Sequence, residues 1–219
     1  MDPKAPYADC DSCPLRDEHF VPGYGRRQAG RVIVGLGPGD KEVREGKPFV
    51  GPAGERLNQA LVAKGADRPR IYITNTVLCR PPNHKPPPEA VSACFKRLIH
   101  EVQGTMPRRV LALGEIASTV LTGDRRPVKE MRSLRPAPNP YLTDCELQVT
   151  YHPAGVLRNP QLAEDFDEDI GWLGEDLVPA SRADMCDLFE QGYSTYEIGR
   201  IFRINEPRIR KMLEDCAEQ

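Results

Sequence analysis

Three sets of residues in this sequence have the types and spacing that chemistry requires. The first is four cysteines in two brackets: Cys10 and Cys13 as a C-x2-C pair, and Cys79 and Cys94 around fourteen residues that include five prolines. A C-x2-C pair can serve zinc, an iron-sulfur cluster, redox exchange or nothing. Cytosolic thiols are kept reduced, so seven cysteines in an intracellular chain point to metal or cluster ligation before disulfides. The second set is the stretch GLGPGDKEVREGKPFVGPAG, residues 35–54, with five glycines before Gly54, three prolines and one large flat side chain, Phe49. Such a backbone turns sharply and lets something approach closely. It is either an ordinary strand-to-helix turn with one anchoring aromatic or a ligand pocket at the carboxyl end of a strand, where open α/β sheets place one. The third set is polar residues at the ends of apolar runs, Asn75 after IYIT and the His152-Pro153 pair after LQVTY.

Elements that could position these groups alternate along the chain. Apolar or β-branched runs at 31–34, 71–78, 108–114 and 145–151 predict four strands. Helical spacing predicts helices at 55–64, from Glu89 through Val102, at 115–121 and, strongly acidic, at 161–177. Strands alternating with helices argue a three-layer αβα sandwich around a mostly parallel four-stranded sheet. Between the third helix and the fourth strand, residues 122–139 form a long loop rich in arginine, and loops of that length usually have a task.

After the short linker Val178-Pro179-Ala180, helices are expected at 182–191, 195–202 and 206–217, the second opened by a Ser194/Glu197 capping box. This unit, residues 181–219, has the pattern of a helix-turn-helix and offers Arg208, Arg210 and Lys211 to a major groove. It also holds six basic against eight acidic residues, so a protein-docking role competes with DNA contact. The domain division read from the sequence is 1–178 and 181–219.

Composition sets the outer limits. A chain of 219 residues with 39% hydrophobic content can bury a substantial core. A net charge of −2 gives no overall basic signature, although a local basic groove suffices for nucleic acid. No stretch approaches the length of a membrane span, and the N-terminus lacks an apolar signal segment. The expectation is a soluble, cytoplasmic, monomeric protein.

Four motifs in one order carry a resemblance: GLGPG with GKPFVGPAG, the TN at 74–75 leading to LCRPPN, the paired cysteines, and YHPAGVLRNP. Together they resemble the family 4 uracil-DNA glycosylases, over a span from about Cys10 to the end of the acidic helix. The resemblance implies that Cys10, Cys13, Cys79 and Cys94 hold a [4Fe-4S] cluster, consistent with four thiolates as usual cluster ligands. It implies a base pocket made by Gly35, Gly37, Gly39, Phe49, Asn75 and His152. Phe49 would stack on an extruded uracil, Asn75 would read its Watson-Crick edge, and His152 would stabilise charge on its O2 as the glycosidic bond breaks. DNA contacts would come from Arg132 and Arg135 of the basic loop and from Arg158.

One residue departs from that family: Leu36 stands where its members carry a glutamate that positions or activates water. Family 5 relatives share the leucine but keep an acid in a later motif, where this chain has Pro52. Asp40 and Glu42 are the nearby acids that could substitute. Two functions of different class follow: a base-excision hydrolase, or a non-catalytic binder of uracil or another modified base. A covalent trap through a histidine in the basic loop, as in certain relatives, is disfavoured because 129–135, KEMRSLR, contains none.

Overall fold

The structure is a computed structural model, and it describes residues 4–28, 30–66, 68–174, 182–202 and 206–213. The chain divides into two units, 1–174 and 175–219.

In the first unit, strands β1 (Arg31–Gly35), β2 (Tyr72–Asn75), β3 (Arg109–Leu113) and β4 (Glu146–Thr150) form one sheet in the order β2-β1-β3-β4, with every pair parallel. Side chains alternate across it, so the two faces carry two cores. On one face Val32, Val34, Val110, Ala112, Leu147 and Val149 meet α3 (Pro88–Gln103), α4 (Gly114–Thr122) and α5 (Val128–Met131) through Leu98, Leu121 and Met131. On the other, Ile33, Ile73, Leu111 and Leu113 meet α2 (Pro52–Ala63) and α7 (Ala163–Gly174) through Leu57, Leu61, Phe166 and Ile170. A sheet buried on both faces explains why its strands read as continuous apolar runs.

The outer edge of β2 is covered by the N-terminal segment. Tyr24 exchanges both backbone hydrogen bonds with Ile73 at 2.8 Å, Val21 N–H donates to the Leu78 carbonyl at 2.8 Å, and Arg80 N–H donates to the His19 carbonyl at 2.8 Å. An edge strand would otherwise leave a row of open backbone groups.

The second strand is shorter than its apolar pattern suggests. After Asn75 the chain bends so that Thr76 N–H reaches the Gly35 carbonyl at 2.8 Å and Val77 N–H the Leu36 carbonyl at 3.1 Å. Three short helices lie where the sequence reads as loop: α1 (Asp40–Glu45) inside the glycine-rich stretch, α5 inside the arginine-rich loop and α6 (Pro153–Arg158) directly after β4. Six residues are too few to display a helical period, but Pro153 at the first helical position is a start signal. The acidic helix begins with a 3-10 turn at Pro160–Leu162 and is described as far as Gly174. The remainder of its expected span, with the linker at 178–180, lies outside the described residues.

The second unit contains α8 (Arg182–Glu190), α9 (Thr195–Phe202) and α10 (Glu206–Leu213). They enclose a small core of Met185, Leu188, Ile198, Ile209 and Leu213. The capping box is formed: Glu197 N–H donates to Ser194 Oγ at 3.2 Å and Ser194 N–H to Glu197 Oε2 at 2.8 Å. Arg210 pairs with Glu206 at 2.7 Å and remains largely exposed. The Arg208 side chain and residues 214–217 of the expected last helix lie outside the described residues. Among the described residues no helix is long and apolar enough to cross a membrane.

Candidate active site

All four strands point the same way, so their carboxyl ends share one edge of the sheet, the place where ligands of open α/β folds bind. At that edge Gly35 is paired in register with Asn75. A Cβ at Gly35 would lie 2.4 Å from Phe49 Cζ and 2.5 Å from Asn75 Oδ1. The aromatic edge and the amide oxygen therefore both press against the Gly35 Cα and fill the room that a side chain there would need, so only glycine lets them meet. Asn75 is 2% exposed, and its Oδ1 has no hydrogen-bond partner. A buried amide oxygen without a donor is unusual in a folded protein.

Phe49 has a left-handed backbone, φ +55°. A bulky residue in that region costs about 1–3 kcal/mol and persists only where its surroundings impose it. Here Arg68 donates to the Phe49 carbonyl at 2.6 Å, to Asn58 Oδ1 at 2.8 Å and to the Pro48 carbonyl. The start of α2 presses on the same turn, since a Cβ at Gly54 would lie 1.8 Å from the Phe49 oxygen. Glu42 closes the loop from within, its carboxylate accepting from the backbone N–H groups of Gly39 at 3.1 Å, Val50 at 2.9 Å and Gly51 at 2.8 Å. Gly37 brings the loop against the proline-rich segment, where a Cβ would lie 2.9 Å from Val77 Cγ2 and 3.2 Å from Pro81 Cδ. Gly54 closes the GKPFVGPAG motif, whereas Arg68 had no signal in the sequence beyond its residue type.

The acids beside Leu36 have other partners. Glu42 is committed to the three backbone donors, and Asp40 pairs with Arg80 at 2.8 Å. Leu36 itself is half-buried.

His152 follows β4 and caps α6: its Nδ1 accepts from Ala154 N–H at 3.2 Å. An imidazole that accepts at Nδ1 carries its proton on Nε2 when neutral. Burial, reinforced by the nearby charge of Arg158, pulls the His152 pKa down to about 4, so the ring is neutral at physiological pH. Its centroid lies 5.9 Å from that of Phe49, with the rings tilted by 34°. Gly114, at φ +81°, lets the start of α4 approach; a Cβ there would lie 2.8 Å from His152 Cβ. His152 is thus a neutral ring beside Phe49, and Phe49 in turn meets the buried Asn75 amide at Gly35.

The three arginines expected at DNA are placed differently. Arg158, the last residue of α6, is exposed near His152. Arg132 and Arg135 both reach the fully buried carboxylate of Asp169, at 2.9 Å and 2.6 Å. Arg132 also pairs with Asp165 at 3.1 Å and lies 5.7 Å over the Tyr151 ring. Burial raises the Asp169 pKa against the pull of the Arg132 hydrogen bond. These two side chains tie the basic loop to α7.

The four bracketed cysteines share one neighbourhood. Cys79 and Cys94 are buried in a small cluster with Leu15, Val77 and Ala90, and Cys13 packs against it. Burial pushes the Cys79 thiol up to about 11; Lys4 opposes this, and the other three cysteines add to it. Cys13 is raised by burial and by the same neighbours. Among the described residues no three His, Cys, Asp or Glu side chains are grouped as a single metal ion requires. A four-iron cluster sets a looser demand, since each thiolate binds its own iron at a separate corner. Thiols this hard to ionise stay inert unless a metal takes the proton's place. Cys145 stands apart, beside Asn139.

A profile described as the uracil DNA glycosylase superfamily matches residues 22–173. Three similar proteins carry the name type-4 uracil-DNA glycosylase. One from Pyrobaculum aerophilum is 41% identical over 169 residues, covering 74% of this chain and 86% of that protein. One from Archaeoglobus fulgidus is 33% identical over 173 residues, covering 76% and 87%. One from Thermotoga maritima is 35% identical over 153 residues, covering 68% and 79%. With a profile match over more than half of its length and such relatives, the chain belongs to the uracil DNA glycosylase superfamily and stands with its type-4 members.

Proposed function

We propose that this protein removes uracil from DNA by hydrolysing the bond between base and sugar. The observation that carries the reading is the buried, unpartnered Asn75 Oδ1 beside the Phe49 ring. Uracil presents a ring N–H donor between two carbonyl oxygens, so Asn75 Oδ1 accepts from N3–H while its Nδ2 donates to O4. Duplex pairing hides that edge, and the nucleotide must be turned out of the stack. Phe49 then supports the base face. His152, neutral and protonated at Nε2, donates to O2 as negative charge collects there, which is electrostatic stabilisation of the leaving group.

Leu36 supplies no base for the attacking water. A general base typically contributes about 10²–10⁴-fold, so its loss slows turnover without abolishing it. Uracil departs as a stabilised anion, and the sugar cation it leaves behind is captured by water.

Cys10, Cys13, Cys79 and Cys94 are the residues that would hold a [4Fe-4S] cluster, which hydrolysis would use as a brace rather than a redox centre. Arg158 is the best placed of the three arginines for a phosphate beside the flipped nucleotide. The exposed Arg210 and Lys211 of α10 would give the second unit its own DNA contact, with a protein partner as the competing role. A DNA substrate implies an intracellular place of work.

A second reading, a binder of uracil or another modified base without turnover, is favoured by Leu36 together with the engagement of Asp40 and Glu42. A uracil-containing oligonucleotide incubated with the protein and then treated with alkali separates the two. Strand scission at the uracil supports the hydrolase; retention of the oligonucleotide with no scission over long incubation rules it out in favour of the binder.

A further inference from the structure

Arg97 lies on α3 with only 2% of its surface exposed. A buried guanidinium is tolerated only when its charge is paired and its donors are used. Glu101, one turn further along the helix, supplies the charge at 2.6 Å and accepts from the Tyr72 hydroxyl at 2.8 Å. Both terminal nitrogens also reach the end of β2, whereas the buried Nε has no partner. Nη2 donates to the Asn75 carbonyl at 2.9 Å and to the Thr76 carbonyl at 2.6 Å, while Nη1 lies 3.5 Å from Thr74 Oγ1.

The location of those carbonyls gives the arginine its importance. Gly35 accepts the Thr76 N–H from the next strand, so the Asn75 carbonyl faces away from β1, at the edge of the sheet where no strand follows. Arg97 supplies donors to the stretch of that edge between the contacts of the N-terminal segment at Ile73 and at Leu78. Three residues earlier, on the same face of α3, is Cys94.

We propose that Arg97 is a positioning residue for Asn75: by holding the Asn75 and Thr76 carbonyls it sets the angle at which the Asn75 amide enters the pocket, and it links that angle to the helix that carries Cys94. The proposal rests on the reading of Asn75 as the residue that recognises the base. Arg97→Lys keeps a charge for Glu101 but cannot span two carbonyls and a carboxylate at once. With uracil-containing DNA under single-turnover conditions, Arg97→Lys should lower the maximal rate by about tenfold to a hundredfold, as displacement of a recognising group does. The protein concentration giving half-maximal rate should hardly change, because phosphate contacts are untouched. In an Asn75→Ala background the lysine substitution should have no further effect.

A purely structural role would lower the melting temperature and leave the rate per folded molecule unchanged, and that result overturns the proposal, as does full additivity with Asn75→Ala. A readout independent of turnover is the Asn75 side-chain amide in ¹H–¹⁵N spectra: Arg97→Lys should shift it and leave those of Asn58 and Asn139 in place, whereas an unmoved signal overturns the proposal even if the wild type proves to be a binder. Absence of uracil release by the wild type strikes at the glycosylase reading instead. Should the lysine variant fold poorly, Arg97→Met combined with Glu101→Met removes both ends of the ion pair, leaves no unpaired buried charge and faces the same tests.

Discussion

Replacing Gly35 by alanine would put a methyl carbon 2.4 Å from Phe49 Cζ and 2.5 Å from Asn75 Oδ1. Overpacking of that kind costs about 1–3 kcal/mol, so Gly35→Ala should fold with a lowered melting temperature and lose uracil release almost completely. A variant as active as the wild type would mean that the placement of Phe49 and Asn75 against Gly35 does not matter to the reaction. His152 gives a second expectation at this scale. With its pKa at about 4, the ring stays neutral across the working range, so the pH profile of the rate should show no step near 6.5 and should fall only as pH approaches 4. The same shift acts on stability. The unfolded chain takes up the proton at about pH 6.5 and the folded protein only near 4, so the unfolded state binds more protons between those values and stability falls as pH drops through that window. The slope is no more than about 1.4 kcal/mol per pH unit for one group. His152→Asn keeps a side chain that caps α6, so it should remove this slope, leave neutral-pH stability nearly intact and abolish activity. Denaturant titrations across the pH range would check the first two points.

The elements around the cysteines make their own prediction. The proline-rich segment and the N-terminal segment are joined by few backbone hydrogen bonds, and a shared metal centre would add a tie between them. Cys79→Ser should therefore lose visible absorbance and iron and melt at a lower temperature; unchanged iron content and melting temperature would show that Cys79 ligates nothing. At this scale the sequence was partly legible. β1, β3 and β4 were visible because strands buried on both faces are unbroken apolar runs, and α3 because sixteen residues display a helical stripe. α1 and α6 were not visible because six residues hold no period, and β2 was overextended because its apolar run continues after the backbone has turned toward Leu36. Phe49, Asn75 and His152 drew attention through the motifs around them. Arg68, Gly114 and Arg97, which pack against or bond to those three or their neighbours, are ordinary residue types whose use depends on long-range approach. The acids near Leu36 were candidate substitutes for the missing glutamate; in the fold Glu42 closes the loop and Asp40 pairs with Arg80.

For the whole molecule, parallel strands gather residues distant in sequence at one edge of one sheet. Gly35, Asn75, Gly114 and His152 each lie at or just after the end of a different strand, which brings an aromatic from one loop, an amide from a second and an imidazole from a third to the same edge. The family match ends at residue 173, so the three-helix unit formed by α8, α9 and α10 lies outside the matched residues. Soaking crystals of the protein with free uracil tests the scheme most directly. The base should lie against Phe49, with N3 within hydrogen-bond distance of Asn75 Oδ1 and O2 facing His152 Nε2. Uracil bound elsewhere, or a pocket that stays empty while DNA carrying uracil is still processed, would contradict it.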